Sequence, residues 1–327
     1  MERTRTRARS IAKRGLPVAL ALLFPGQGSQ FPGMADPWIS HPAGAAVLEE
    51  ASSALGRDVV AACRDEELLA TTEFAQPALL ACDVAAWSVL EAHGVRAEAA
   101  AGHSLGEFAA LVAAGALAFA DAMELVAERG RAMQAAALER PGTMTALLGL
   151  SAAEAAEICE VAGRGDVLAV ANENAPKQVV LSGSVEAVER AEEAARSRRA
   201  RAVRLNVAGA FHSPLMQSAV VRMRDALSTA SFEEPRFPVA ANVSGRLIGD
   251  RTAFRDLLAR HVVSPVRWER SMRTLGEAGF DTFVEAGPGD VLARLVRRTL
   301  PDARAIAVGG PEQAIEFARQ RTEETVG

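Results

Sequence analysis

The sequence predicts an α/β fold in which a large body is interrupted by a smaller βαββαβ unit. Three observations support this prediction. An apolar run of strand length at 16–24 ends in a glycine-rich loop, and the segment GHSLGEF at 102–108 stands between a strand-like and a helix-like stretch. Residues 141–207 alternate between strand and helix patterns in the order of that smaller unit. A chain of 327 residues is long enough for a large core and a second unit.

The first part of the body reads as a strand, a helical region, a second strand and further helices. The run LPVALALLF at 16–24 is a strand, and it ends at Pro25 and a loop containing Gly26 and Gly28. Helical patterns fill much of 44–92, and RAEAAAG then supplies a short strand before GHSLGEF. The stretch LGEFAALVAAG has helical spacing, and the next helix, ADAMELVAERGRAMQAA, has Asp121 as its expected N-cap.

The inserted unit, residues 141–207, contains four strand patterns and two helices. TMTALLGL is the first strand, and the helix after it begins with Ser151 and Glu154 at the spacing of a capping box. DVLAVANEN and QVVLSG form a hairpin around APK, SVEAVERAEEAARSRR is a charged helix, and ARAVRLNV is the last strand. This order is that of a ferredoxin-like unit.

The chain then returns to the body, where FPVAANVSG and DTFVEAGPGD are further strands of the main sheet. The predicted boundaries are therefore a body made of residues 16–140 and 208–305, the insert at 141–207 and a C-terminal tail at 306–327.

The composition is that of a globular protein, and the charge is unevenly distributed along the chain. Apolar residues make up 49% and charged residues 24% of the chain, as in ordinary globular proteins. Residues 1–15 carry six Arg or Lys against one Glu, so with an overall charge of −5 the remainder carries −10. We interpret 1–15 as a basic flexible tail, and the acidic remainder argues against nucleic-acid binding.

The compartment expected from the sequence is the cytoplasm. No stretch approaches the roughly 20 apolar residues of a membrane span, and the apolar run at 16–24 lacks the small-residue cleavage pattern of a signal peptide. The three cysteines are too few and too scattered for a disulfide framework or a metal site, so we expect buried thiols, no metal and no membrane.

GHSLGEF fits the glycine-x-serine-x-glycine pattern of a nucleophile elbow, which makes Ser104 a candidate nucleophile. A serine needs a base within hydrogen-bond reach. Among the five histidines, His103 is adjacent to Ser104 and should point away from it, whereas His41 and His93 have the surroundings of surface residues. His212 follows the insert where the chain returns to the body, and we favour it as the base.

Acyl transfer also requires N–H donors for the oxyanion of the tetrahedral intermediate. The backbone N–H of Leu105, directly after the serine, is the usual donor in an elbow. The loop FPGQGSQ lies at the carboxyl end of a predicted strand and offers a second donor, the backbone N–H of Gln27. An ordinary strand-to-helix turn would also explain this loop.

Eight motifs together resemble one family. FPGQGSQFPGMA, AQPALLA, GHSLGEFAALVAAGAL, ERGRAMQ, VANENAPKQVVLSG, GAFHSPLM, SPVRW and EAGPGDVL follow the order and approximate spacing of malonyl-CoA:acyl carrier protein transacylases and the related acyltransferase domains of polyketide synthases. The resemblance covers about residues 18–300. It implies an α/β-hydrolase-like body that carries the ferredoxin-like insert, in agreement with the pattern of strands and helices.

The resemblance also implies roles for individual residues. Ser104 matches the nucleophile, His212 the general base, and Arg129 the arginine that binds the free carboxylate of the malonyl group. His261 stands where the family commonly has glutamine, and only its backbone carbonyl is needed to orient the base. The remaining matches are Gln27 and Leu105 for the oxyanion hole, Gln76 and Asn174 as polar residues near the pocket, and Phe211, which crowds the α-carbon of the acyl group in malonyl-selective domains.

The implied reaction moves a malonyl group from CoA to the phosphopantetheine thiol of an acyl carrier protein by a ping-pong acyl-serine mechanism. No cofactor is expected beyond these thioester carriers. Two alternatives stay open: a serine thioesterase, which would not need Arg129, and a transferase for a different acyl group. We expect a discrete enzyme, a monomer, acting in trans. The insert's arginines are a candidate docking face for an acidic carrier protein, and a solvated charged face would explain them equally well. They are Arg196, Arg198, Arg199, Arg201 and Arg204.

Overall fold

The computed structural model describes residues 19–326, and within them the chain forms two β-sheets surrounded by helices. The predicted basic tail at 1–15 and the first residues of the apolar run lie outside the described residues. The strands are β1 (Leu20–Phe24), β2 (Ala99–Gly102), β3 (Thr143–Leu148), β4 (Leu168–Ala175), β5 (Gln178–Gly183), β6 (Arg201–Arg204), β7 (Val239–Ala241), β8 (Arg246–Ile248), β9 (Thr282–Ala286) and β10 (Arg304–Val308).

The helices cover both faces of the larger sheet and one face of the smaller. They are α1 (Asp36–Ile39), α2 (Pro42–Leu55), α3 (Val59–Ala62), α4 (Glu66–Ala70), α5 (Thr72–Ala92), α6 (Gly106–Ala113), α7 (Phe119–Glu139), α8 (Ala152–Gly163), α9 (Val185–Ser197), α10 (Gln217–Thr229), α11 (Phe254–His261), α12 (Trp268–Glu277), α13 (Val291–Thr299) and α14 (Pro311–Val326).

The larger sheet has the strand order β10-β9-β1-β2-β7-β8, and every neighbouring pair in it is parallel except β7 and β8. All five residues of β1 are buried, as expected for a central strand covered on both faces. Its side chains alternate between two apolar clusters: Leu22 packs on the side of α5 to α7, and Leu23 packs against α12 and α13.

The smaller sheet is antiparallel, with the order β4-β5-β3-β6, and it carries α8 and α9. The predicted βαββαβ sequence of elements is confirmed by this arrangement. The predicted capping box is present, because Ser151 and Glu154 bond to each other's backbone at the start of α8. The predicted hairpin joins Ala175 to Gln178.

The insert is attached to the body through β4. The backbone of Val266, just before α12, donates to the carbonyl of Ala171 at 2.8 Å and accepts from the N–H of Glu173 at 2.9 Å. This parallel bridge connects the smaller sheet to the segment that leaves α11. Among residues 19–326, no helix is long and apolar enough to cross a membrane.

Two predictions about element boundaries are wrong. Asp121 lies within the first turn of α7 and is not its cap, since the helix begins at Phe119 after Ala118. The expected C-terminal tail at 306–327 is also incorrect for the residues described. β10 pairs in parallel with β9, and α14 buries Phe317 in the main apolar cluster, so burial of apolar surface fixes this segment.

Candidate active site

The site lies where β1 and β2 end, at the carboxyl edge of the parallel sheet, a usual location for ligand sites in such folds. The N–H of His103 donates to the carbonyl of Phe24 at 2.9 Å and so brings the two loops together. A Cβ on Gly26 would lie 2.3 Å from the carbonyl oxygen of His103, and one on Gly106 would lie 2.1 Å from that of Phe24. Glycine is required at both positions because backbones approach closely there.

Ser104 occupies a sharp turn between β2 and α6 with φ of +52°, a strained conformation for a residue other than glycine. The turn directs its Oγ toward Nε2 of His212, at 2.8 Å. His212 itself has φ of +57° and faces backbone carbonyls with its other nitrogen, Nδ1, at 3.0 Å from His261 and 3.1 Å from Ser264. Two carbonyl acceptors require a proton on Nδ1, which leaves Nε2 free to accept the serine proton.

The electrostatic environment keeps His212 neutral. Burial, and to a lesser degree the positive charge of Arg129, lower the pKa of its imidazole to about 3, although the bonds to the carbonyls of His261 and Ser264 oppose the shift. A neutral imidazole beside a serine hydroxyl can act as a general base.

Arg129 projects from α7 toward Ser104 and is almost completely buried. Its Nη2 donates to Oγ of Ser104 at 3.1 Å, and its Nη1 donates to Oε1 of Gln76. Burial lowers the pKa of this guanidinium to about 10, with Glu107 opposing the shift, so the group remains charged at neutral pH. A buried guanidinium beside a hydroxyl can bind an anionic group of a substrate.

The two predicted oxyanion donors are close to Ser104, because Leu105 directly follows it and Gln27 lines the same cavity. Within residues 19–326, the backbone N–H of Gln27 and that of Leu105 donate to no other protein group. Both residues belong to the loops that β1 and β2 bring together. The side chain of Gln27 lies 3.4 Å from the hydroxyl of Thr72. Unpaired N–H groups at such a place can donate hydrogen bonds to a developing oxyanion.

A cleft of about 290 Å³ opens beside Ser104. Phe211 and Met133 form part of its wall, and the 205–208 segment, which leads from the insert back to the body, forms another part. Asn174 is not among the residues that line this cleft. It lies 2.8 Å from Nε2 of His103 and lines an adjacent groove of about 180 Å³ instead.

Sequence reasoning missed two polar residues at the site, Asn242 and Glu107. The side chain of Asn242 accepts the N–H of Ser104 at 2.8 Å and donates to the carbonyl of Gly102 at 2.7 Å. Its own N–H donates to Oε2 of Glu107 at 3.1 Å. Asn242 follows β7, which neighbours β2, so its position after a strand of the main sheet was the available signal.

Three of the five insert arginines named above as a candidate docking face are paired with carboxylates of the insert. Arg196 and Arg204 lie 3.6 Å and 2.7 Å from Glu192, and Arg198 lies 2.9 Å from Glu157. Arg199 and Arg201 are exposed.

In the described part of the chain, no group of three or more His, Cys, Asp or Glu residues could hold a metal ion.

Comparison with known proteins agrees with this geometry. The acyl transferase domain model matches residues 21–319. The malonyl CoA-acyl carrier protein transacylase of Escherichia coli K12 is 42% identical over 297 residues, 89% of this chain and 96% of that protein.

Two solved structures are similar throughout. The transacylase of the same name from Coxiella burnetii is 38% identical with a TM-score of 0.91, covering 94% of this chain and 98% of the other. A malonyl-transacylase solved in complex with a type II polyketide synthase acyl-carrier protein is 37% identical with a TM-score of 0.89, covering 92% and 99%. The chain belongs to the acyl transferase domain family, in the group of malonyl CoA-acyl carrier protein transacylases.

Proposed function

We propose that this acyltransferase moves a malonyl group from CoA to the phosphopantetheine thiol of an acyl carrier protein, for fatty-acid or polyketide synthesis. Ser104 is the nucleophile and His212 the general base of an acyl-serine mechanism. One observation carries the substrate assignment: the buried guanidinium of Arg129 lies 3.1 Å from the hydroxyl that is to be acylated.

In the first half-reaction, Nε2 of His212 takes the proton of Ser104 as Oγ attacks the thioester carbonyl. The backbone N–H groups of Gln27 and Leu105 stabilise the oxyanion that forms. Collapse of the tetrahedral intermediate breaks the C–S bond, and the proton held on His212 passes to the departing CoA sulfur. His212 needs no carboxylate for this cycle, because two backbone carbonyls fix its Nδ1–H.

In the second half-reaction the carrier protein's thiol takes the place of CoA. His212 accepts the thiol proton, and the thiolate attacks the carbonyl carbon of the malonyl-serine. Collapse of this second tetrahedral intermediate breaks the C–Oγ bond, and the proton on His212 returns to Oγ of Ser104. The relatives named for acyl carrier protein, including one solved with such a partner, support this acceptor. No other cofactor enters either half.

Arg129 gives the selectivity for a dicarboxylic acyl group. In a malonyl chain, one methylene separates the thioester carbonyl from a free carboxylate. A planar guanidinium can bind both oxygens of that carboxylate. The bond to Gln76 and burial in α7 hold the guanidinium in place. Phe211 forms the wall that would meet a substituent on the malonyl α-carbon, which favours malonyl over methylmalonyl.

We further propose that the body is α/β-hydrolase-like and the insert ferredoxin-like. The elbow after β2, with φ of +52° at Ser104, supports the first description. The strand order β4-β5-β3-β6 with βαββαβ connections supports the second. Asn174 acts at a distance from Ser104, by holding His103.

The test is intact-protein mass spectrometry after brief exposure to malonyl-CoA, methylmalonyl-CoA and acetyl-CoA, followed by addition of a holo acyl carrier protein. We expect a malonyl adduct that is absent in Ser104→Ala, strongly reduced in Arg129→Ala, and transferred to the carrier protein. Arg129→Lys serves as the matched variant, since it keeps the charge and loses the planar fork.

Two outcomes would redirect the assignment. Release of free malonate faster than transfer to the carrier protein would identify a thioesterase. An adduct formed preferentially from another acyl-CoA would keep the mechanism and overturn the malonyl assignment.

A further inference from the structure

Glu107 is a buried carboxyl group that the proposed mechanism does not use. It lies in the first turn of α6, three residues after Ser104, and is 1% exposed. Burying a carboxylate is costly unless specific partners compensate it. The contacts of Glu107 therefore indicate which part of the structure its burial stabilises.

One partner leads to the nucleophile. Oε2 of Glu107 accepts the backbone N–H of Asn242 at 3.1 Å. The side chain of Asn242 in turn binds the N–H of Ser104 and the carbonyl of Gly102, on the two sides of the strained turn. Glu107 thus fixes the position of Asn242, which binds both sides of the turn at Ser104.

The second partner leads to the base. The same Oε2 lies 3.5 Å from Nδ1 of His261, whose ring is 1% exposed. Among the described residues, neither ring nitrogen of His261 has a hydrogen-bond partner, and this carboxyl oxygen is the polar contact of Nδ1. The backbone carbonyl of His261 accepts Nδ1–H of His212 at 3.0 Å. One carboxyl oxygen therefore contacts both Asn242, which binds the turn of Ser104, and His261, whose carbonyl orients His212.

The charge of this carboxyl group responds to pH near neutrality. Burial raises the pKa of Glu107 to about 7, against the opposing effects of Asn242 and the positive charge of Arg129 from α7. Burial also lowers the pKa of His261, and His212, Arg129 and His103 lower it further. The ionised fraction of Glu107 hence rises as pH rises through about 7, and an ionised carboxylate is the stronger hydrogen-bond acceptor.

We propose that Glu107 is a positioning residue that sets the Ser104–His212 geometry, through Asn242 on one side and His261 on the other. The inference rests on the proposed function, because that function makes this pair the acylating machinery. A carboxyl group that merely stabilises the fold would behave differently. Glu285 of β9 is the natural comparison: it is fully buried and accepts the N–H groups of Leu292 and Ala293 at the start of α13.

The experiment measures acylation of Ser104 by malonyl-CoA with rapid-quench mass spectrometry. Rates are expressed per molecule capable of acylation, so that unfolded protein does not count. The variants are Glu107→Gln, which is close to isosteric and keeps one acceptor oxygen, Glu107→Met, which keeps none, and the matched control Glu285→Gln. Each is measured over pH 5.5–8.5, and two quantities are separated: kcat, here the maximal rate of acylation, and KM, here the malonyl-CoA concentration that gives half of that rate.

We expect Glu107→Gln to lower kcat about 10-fold with KM for malonyl-CoA changed less than about 2-fold. A displaced Ser104–His212 pair stabilises the transition state less, but it leaves substrate binding nearly unchanged. The wild-type kcat should rise with pH through about 7, and this rise should vanish in Glu107→Gln. Glu107→Met should lose more activity than Glu107→Gln. Glu285→Gln should lose stability and keep both kcat and the wild-type pH profile.

The inference is overturned if Glu107→Gln acylates at the wild-type rate per active molecule with an unchanged pH profile. Because Glu107→Gln is close to isosteric, it decides the question even if Glu107→Met fails to fold. Failure of the proposed function is a separate result, in which the wild type and Glu285→Gln form no malonyl adduct at all.

Discussion

His212 and Phe211 are neighbours in the chain and divide two tasks between them at the residue scale. The left-handed backbone at His212 turns its ring toward Ser104, and Phe211 is left to line the acyl cleft. In the proposed mechanism the task of His212 is proton transfer, and the task of Phe211 is recognition of the acyl group by shape. Each can therefore be altered without directly removing the other.

Changing Phe211 to serine should broaden the choice of acyl group. The smaller side chain removes the wall that an α-methyl group would meet, and discrimination of one methyl group in such a pocket amounts to about 1–3 kcal/mol. We expect the ratio of methylmalonyl to malonyl acylation to rise roughly 10-fold or more, measured by competition between the two CoA esters. An unchanged ratio would show that Phe211 does not contact the α-carbon.

Changing His212 to asparagine should make stability less sensitive to acid. The folded-state pKa of about 3 lies below the usual value near 6.5, so the unfolded chain binds a proton that the native site excludes. This contribution to stability is complete above about pH 6.5 and is lost as pH falls toward 3. From pH 7 to pH 5 the wild type should lose about 2 kcal/mol more than His212→Asn.

Urea unfolding at the two pH values measures this difference. His93→Asn is the control, because this ring lies at the surface beside His41, and the variant should follow the wild type. Equal losses in His212→Asn and the wild type would mean that the ring of His212 is accessible to protons in the folded protein.

At the scale of elements, the site depends on how closely α6 approaches the end of β1. Gly106 makes this approach possible, since a Cβ there would lie 2.1 Å from the carbonyl oxygen of Phe24 and 2.7 Å from that of Pro25. Gly106→Ala must therefore separate the helix from the loop that contains Gln27. We expect a loss of about 1–3 kcal/mol in unfolding free energy and at least a tenfold slower acylation.

Gly249→Ala is the matched control for this substitution. Gly249 is exposed, and an added Cβ would have no neighbour within 4 Å. Its unfolding free energy should change by less than about 0.5 kcal/mol. Equal effects of the two substitutions on acylation would contradict the dependence on helix–strand approach.

The elements that carry Ser104 and His212 could be predicted because strong local signals mark them. The elbow at Ser104 has glycines on both sides, and the insert shows a capping box at Ser151. Asn242 and Glu107 could not be predicted as a pair, because 135 residues separate them and their contact depends on β7 pairing beside β2. Pairing between distant strands leaves no local periodicity to detect.

At the scale of the whole molecule, the site lies between two units that must keep a fixed relation. The insert contributes the wall at 205–208, and its β4 is bonded to Val266, close to the carbonyl of Ser264 that contacts His212. Asn174, also on β4, bonds to His103 of the elbow. The small sheet is thereby connected both to the turn that holds Ser104 and to the segment whose carbonyls contact His212.

The C-terminal segment is part of this whole, although its sequence predicts only a tail. RAIAV is short, and the charged residues of α14 obscure the single apolar face that carries Ala314, Phe317 and Ala318 into the core. A weakly amphipathic helix becomes evident only when α5 is present to cover that face. Tertiary packing, and not local propensity, decides the structure here.

Phe317→Ala tests this packing against Ile315→Ala on the same helix. Phe317 is 3% exposed and Ile315 is 42% exposed, so only the first substitution opens a cavity. We expect Phe317→Ala to lose about 3–5 kcal/mol of unfolding free energy and Ile315→Ala less than about 1 kcal/mol, both by urea titration. Since α14 contributes no residue to the cleft, acylation per folded molecule should stay within about twofold of the wild type in both variants. Equal destabilisation by the two substitutions would mean that α14 is not held by its buried face.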